Sequence, residues 1–172
     1  MSNVVQTVAE LMEISAVTAP KAVGKNFLVT KVLNQEECQI LGKEMIKYGE
    51  ESGKKKFDRD GANVEHSGAI LLIGMKNAEP ISINCGACGF SKCLEINTGE
   101  KDGEFLGPQC LIRVLDLGIA LGSAVKTAEI LNVDNRIMYR IGAVARKLKL
   151  INADFVMGIP LSVSGKNIYF DR

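Results

Sequence analysis

Four of the five cysteines in this 172-residue chain lie close together: Cys85-Gly-Ala-Cys88-Gly-Phe-Ser-Lys-Cys93, then sixteen residues, then Cys110. Four thiolates can each take one iron of a cubane cluster, because iron, sulfide and thiolate are soft partners. Gly86 and Gly89 permit tight turns that aim backbone N–H groups at such a cluster, and those hydrogen bonds raise its potential. Phe90 and Leu94 are placed to exclude water. Structural zinc also takes four cysteines, but normally from two short CxxC-like knuckles, and Cys93/Cys110 is not one. Disulfides would need an oxidising compartment that the sequence does not indicate, and four unliganded thiols clustered by chance would be an odd use of reactive groups. The spacing favours a [4Fe-4S] cluster on Cys85, Cys88, Cys93 and Cys110, with zinc as the competing metal.

Other chemistry is sparse. Cys38 shares a helical face with Leu41, Met45 and Tyr48 and reads as a buried small hydrophobe. His66 is the only histidine and has no carboxylate partner fixed by sequence, so it reads as a surface or strand-edge residue. No Ser/His/Asp or Cys/His nucleophile set is visible. The run GIALGS lies inside a helical pattern and not between a strand and a helix start, which argues against a phosphate loop.

The elements that must carry these residues can be read in outline. Val4, Val8, Leu11 and Ser15 mark one stripe of an opening helix over 3–18, with Val5 and Met12 beside it, ended by Ala19-Pro20. Residues 26–33 read as a strand, and Asn34 with Glu37 is a capping box for a second helix. The stretch 49–67, with Lys54, Lys55 and Lys56, reads as a solvated break. Residues 69–74 form a continuous apolar strand of the doubly buried kind, and 80–84 a short strand leading into the cysteines. From Leu111 to Leu131 apolar residues fall on almost every side, the pattern of a buried central helix. Its small residues Gly118 and Gly122 would admit another backbone or a flat ligand. Ile137, Ile141, Val144 and Leu148 stripe a further helix, and a last strand over 153–159 precedes Pro160. The order predicts an α+β fold, a mainly antiparallel or mixed sheet flanked by helices: a single domain over 1–172 with the metal-binding segment inserted at 80–110.

Twenty-one Lys and Arg against twenty Asp and Glu leave a net charge of +1, so no overall field favours nucleic acid or an anionic membrane. The uncharged run 117–125 is too short to span a bilayer. The opening MSNVVQTVAE lacks the features of a signal peptide, and the expected address is the cytoplasm.

The run CGACGFSKC with its fourth cysteine at Cys110 resembles the four-iron domain of electron-transfer subunits and of a subunit of the anaerobic carbon monoxide dehydrogenase/acetyl-CoA synthase system. Over the whole chain TAPKAVGKN, NCGACGFSKC, LDLGIALGSAVKTA, VDNRIMYRIG and GIPLSVSGKNIYFDR resemble a family of ferredoxin-domain-containing proteins from anaerobic bacteria and archaea. That family in turn is similar to the nitroreductase-like flavoproteins. The nitroreductase resemblance implies an intertwined homodimer with FMN at the subunit interface. Those flavoproteins usually hold the FMN phosphate with arginines at the start of the first helix, and this chain has no arginine before Arg59. Lys21, Lys25 and Asn26 stand as substitute phosphate and ring contacts, Asn135 and Arg136 as polar residues at a later turn, and Lys166 or Arg172 can reach in from the tail.

Three functions stay open on these residues. In the first, the cluster relays single electrons to a flavin and then to a small acceptor. In the second, a flavin-free electron carrier or redox sensor serves partner proteins. In the third, a redox-silent metal, zinc or iron, pins a long insertion to a scaffold.

Overall fold

The segment AILLIGM, uncharged and rich in branched side chains, is buried along its whole length, and the rest of the chain is arranged around it. The structure, a computed structural model, describes residues 2–170. In chain order the elements are α1 (Ser2–Thr18), β1 (Leu28–Leu33), α2 (Gln35–Ser52), α3 (Phe57–Glu65), β2 (Ala69–Met75), β3 (Lys101–Asp102), β4 (Leu106–Gly107), α4 (Leu111–Ile130), β5 (Asp134–Asn135), α5 (Tyr139–Lys147) and β6 (Phe155–Ser162). Four strands form one antiparallel sheet in the order β1-β2-β6-β5, and β3 and β4 pair separately. Alternation along β2 divides the core. Ala69, Leu71 and Ile73 face the layer built from α1 and α4, while Ile70 and Leu72 face that of α2, α3 and α5, as a period of two requires.

Several elements depart from the sequence reading for identifiable reasons. The stretch 49–67 is not an open break: α2 runs to Ser52 and ends on a left-handed Gly53, and Phe57–Glu65 is a helix. Its charge pattern misleads because Asp60 is 2 % exposed, held by Arg59 at 2.6 Å and Arg140 at 2.8 Å. Gly61 packs against Gly42 so closely that a Cβ on it would stand 2.7 Å from the Gly42 carbonyl oxygen. Residues 80–84 form bends and no strand, with Ser82 and Asn84 at positive φ. The last strand continues through Pro160 to Ser162. Opposite Arg136 the proline has no N–H to give, and there the β5–β6 pairing lapses before resuming between Met138 and Gly158. Asn135, read with Arg136 as lying at a turn, belongs instead with Asp134 to β5, an edge strand of the sheet.

The helices of the first layer depart from the expected burial, α1 by the face it buries and α4 by being covered on one side only. In α1 the buried residues are Val5, Val8, Ala9, Met12 and Ala16, whereas Val4 and Leu11 are exposed. In α4 only one stripe is buried, through Leu117, Ala120, Leu121, Ala124 and Ala128. Leu111, Leu115 and Ile119 are exposed, and a Cβ on Gly118 or Gly122 would meet nothing within 4 Å. The helix is thus apolar on a side that the chain itself does not cover.

On the opposite layer α5 lies so close to β6 that a Cβ on Gly142 would stand 1.8 Å from the Val156 carbonyl oxygen. Since that neighbour is backbone inside a sheet, it cannot yield without moving the strand. Gly142→Ala is expected to lower unfolding stability by at least about 2 kcal/mol, read from urea denaturation; an unchanged midpoint would contradict this packing.

Candidate metal centre

Cys110 stands at the N-cap of α4, 4 % exposed, with the positive end of a twenty-residue helix beside it, a place suited to an anionic ligand. The loop bearing the other three cysteines is tied close to it on both sides. On the incoming side, the Arg113 side chain on the first turn of α4 donates from Nε to the Glu79 carbonyl at 3.0 Å. On the outgoing side Gly99 N–H donates to the Pro108 carbonyl at 3.2 Å. Between these ties Gly86 and Gly89 have positive φ, the turns for which glycine is needed, and Gly89 N–H closes one onto the Gly86 carbonyl at 2.9 Å. Asn84 and Cys93 bond reciprocally: Cys93 N–H donates to Asn84 Oδ1 at 2.8 Å, and Asn84 N–H to Cys93 Sγ at 3.3 Å.

All four are free thiols, Cys85 exposed, Cys88 and Cys93 half-buried. Among the described residues no three His, Cys, Asp or Glu side chains stand close enough to hold a metal ion. The chemistry of the donor set fits an iron–sulfur cluster, and the two ties fasten the ends of the cysteine loop, at Glu79 and Gly99, to the first turn of α4 and to the residue two before Cys110. Leu94 is 95 % exposed, so within one chain it shields nothing. Cys38 is outside this group, fully buried in the α2 layer, where burial pushes its thiol up to about 12.

The candidate flavin contacts fall into two groups at opposite ends of the antiparallel α1/α4 pair, whose direction is marked by Ser15 bonding Thr127 and Ala22 bonding Asp116. Lys21, Lys25 and Asn26 follow α1. The Lys21 ammonium donates to the carbonyls of Ala16, Val17 and Ala19, capping the helix end. Burial lowers its pKa, against a smaller opposing effect of Asp116. Lys25 pairs with Glu79 at 3.3 Å, and Asn26 Oδ1 accepts from Leu28 N–H in a local turn. At the other end Asn135 is buried and donates to Glu129 and Val133. Arg136 donates to the Tyr169 carbonyl at 2.7 Å and lies over the Phe170 ring. Lys166 is on the exposed turn after β6, and Arg172 lies outside the described residues. Among the described residues, and as they stand in one chain, these side chains do not converge on a phosphate site.

The sequence reading missed a buried ion pair behind the cysteine loop. Arg113 is 1 % and Asp116 5 % exposed, joined at 3.1 Å. Arg113 Nη1 also donates to the Ala22 carbonyl at 2.9 Å, its guanidinium lies 4.8 Å over the Phe27 ring, and Asp116 Oδ1 accepts from Ala22 N–H at 2.8 Å. The available signal was an opposite-charge pair at i,i+3 in the first turns of a largely apolar helix, a spacing that Lys126 and Glu129 repeat near its end. Between this turn and the cysteine loop lies a cavity of about 450 Å³, lined in part by Val23, Lys25, Glu79, Cys93, Leu94 and Arg113. Val23, on its rim, is a β-branched residue at φ 50, an uncommon conformation fixed here by the bonds that the ion pair makes to Ala22.

The family model described as "Uncharacterized protein containing a ferredoxin domain (DUF2148)" matches residues 106–172, the part that begins before Cys110. An "Uncharacterized protein" of Archaeoglobus fulgidus is 48% identical over 169 residues, spanning 98% of this chain and 91% of that one. The chain belongs to the ferredoxin-domain family. This member of the ferredoxin-domain family has the fold of the nitroreductases. Over 94% of the chain it superposes on nitroreductase A from Vibrio parahaemolyticus with a TM-score of 0.59 at 15% identity, spanning 60% of that protein. It matches a nitroreductase with bound FMN from Bacteroides fragilis at 0.60 and 10% identity, over 92% and 77% of the two chains. It also matches an FMN-dependent nitroreductase from Mycobacterium smegmatis, solved with NADPH, at 0.60 and 9% identity, over 96% and 82%. No helix among the described residues is long and apolar enough to cross a membrane.

The buried Cys38 thiol and the buried Tyr169 phenol, both pushed up to about 12, set a pH dependence. Each keeps its proton in the folded chain to higher pH than in the unfolded one, from ordinary values of 9.0 and 10.0. Their stability is therefore present below pH 9 and is lost between about 9 and 12 as the unfolded chain ionises first. The melting temperature is expected to fall across this range, and less steeply in Cys38→Ala; identical slopes would remove Cys38 from the account.

Proposed function

We propose that this ferredoxin-domain protein carries a [4Fe-4S] cluster on Cys85, Cys88, Cys93 and Cys110 and serves as an electron-transfer protein, with residues 80–110 as the cluster-bearing insert of a nitroreductase-like domain. The observation that carries the reading is the double tie of the cysteine loop to the start of α4, through Arg113 to Glu79 and through Gly99 to Pro108. When bound, such a cluster accepts and releases one electron at a time. The chain's own contribution is to hold the four thiols, to offer Asn84 N–H to Cys93 Sγ, and to keep a cavity at Cys93 where a small acceptor can lie. The exposed loop also offers a docking site for a redox partner protein.

A flavin is the second reading. The likeness to nitroreductases solved with FMN supports it, but the candidate contacts of a single chain are engaged elsewhere, so no step is assigned to a flavin here. The exposed apolar side of α4, with Leu115 54 % exposed, supports a second copy of the chain as its cover, the homodimer that the nitroreductase resemblance implies. Leu115→Glu is expected to leave a folded monomer in analytical ultracentrifugation; a wild-type chain that sediments as a monomer would end the dimer reading.

Protein purified without oxygen decides the metal. About four irons and four sulfides per chain with a broad brown absorption band are expected, and one zinc in colourless protein would overturn the redox function. A two-peaked yellow spectrum in addition would favour the flavin enzyme over the carrier. Cys88→Ala should lose the cluster and Cys38→Ala should keep it; equal iron loss from both would refute the assigned ligand set.

A further inference from the structure

Arg113 bonds to backbone carbonyls in two separate stretches of chain and to one carboxylate. Its Nε donates to Glu79 at 3.0 Å, and its Nη1 donates to Ala22 at 2.9 Å, to Lys25 at 3.5 Å and to Asp116 Oδ2 at 3.1 Å. If stability alone were served, apolar side chains would do as well, because replacing both members of a buried ion pair by well-packed hydrophobic residues is often neutral or stabilising. An apolar side chain cannot, however, donate to the Glu79 carbonyl. Glu79 stands six residues before Cys85, and Arg113 three residues after Cys110, so one side chain joins the strand of chain that delivers three cysteines to the helix end that carries the fourth.

We infer that Arg113 is the positioning residue of the cysteine set: its guanidinium anchors the incoming end of the Cys85–Cys93 loop, at Glu79, to the helix end that carries Cys110. The inference rests on the cluster reading above. The planar fork is what the task requires, since one edge reaches Glu79 while the other reaches Ala22 and Asp116, and a lysine ammonium presents a single point in place of two directed edges. Asp116 orients the fork, and it holds Ala22 N–H as well, so the turn after α1 keeps one tie when the arginine is changed. The pair is also sheltered from solvent, which leaves the Glu79 contact little screened by salt.

The test uses the full chain purified without oxygen, as wild type, as Arg113→Lys, as the double variant Arg113→Met with Asp116→Asn, and as Asp116→Asn alone. The readouts are melting temperature, iron and sulfide per folded chain, the rate of iron release to excess chelator, and the electron paramagnetic resonance signal of the reduced protein. Arg113→Lys and the double variant are expected to fold, to release iron at least ten-fold faster and to show a shifted resonance, while Asp116→Asn, which keeps the guanidinium and its bond to Glu79 but strips the buried charge of its partner, is expected to lower the melting temperature and to release iron faster than wild type but more slowly than Arg113→Lys. Release rates and resonance equal to wild type in a folded Arg113→Lys chain would overturn the inference, even with a lower melting temperature. Failure of Arg113→Lys to fold would also overturn it, by showing a general core role. A wild-type chain without iron and sulfide would instead defeat the cluster reading itself, which separates the two failures.

Discussion

The buried pair of Arg113 and Asp116 is the constraint on which the rest of the site depends. Two opposite charges removed from water need each other and further hydrogen bonds to remain there, and both sets of bonds are made to the backbone that passes around the end of α1 and into the cysteine loop. The pair therefore converts the packing of α1 against α4, which is hydrophobic and tolerant of small shifts, into a directed arrangement of three chain segments. Losing one partner alone would leave an uncompensated buried charge, a cost of about 3–5 kcal/mol. The left-handed backbone of Val23 is a local expense of the same arrangement, held because Ala22 is bonded on both its N–H and its carbonyl.

The sheet supplies the rigid reference for this arrangement. Its central strand is covered on both faces, and its layers are closed by alternating residues of β2 and β6. The cysteine loop leaves the sheet directly after β2 and is fastened at once: Asn77 N–H bonds the Asp154 carboxylate at 2.6 Å, and Asp154 N–H bonds the Met75 carbonyl at 2.8 Å. Elements with few regular hydrogen bonds of their own are thus attached to the most deeply buried strand of the molecule.

What the sequence revealed depended on how local the determining physics was. The Asn34–Glu37 capping box was legible because both partners lie within one turn, and it is present with both bonds made. The apolar run of β2 was legible because burial on both faces leaves no polar alternation to interpret. By contrast, α3 was hidden because its Asp60 is buried between adjacent Arg59 and Arg140 from a helix eighty residues away in sequence, and no local pattern reports the second partner. The commitment of Lys21 to the end of α1 was hidden although that end was legible, because its partners are the carbonyls of Ala16, Val17 and Ala19 and a carbonyl leaves no residue-type signal. The four cysteines were conspicuous by type and spacing, whereas the arginine that ties their loop was not, because its partners are carbonyls and every residue has one.

The hairpin of β3 and β4 has a consequence of its own. The chain between Cys93 and Cys110 is not a free tether, since Leu106 N–H bonds the Asp154 carbonyl at 2.9 Å and Arg146 bonds the Gly103 carbonyl at 3.2 Å and Asp102 at 2.9 Å. Any group that bridges the two thiols closes a ring whose conformational freedom the folded body has already removed, apart from the few residues outside these anchors. The entropy of ring closure, which grows with the logarithm of the mobile length, is met during folding and not during metal capture. Lengthening the hairpin tip between its anchors therefore leaves the chelate ring nearly unchanged, and the same insertion beside Cys93 does not.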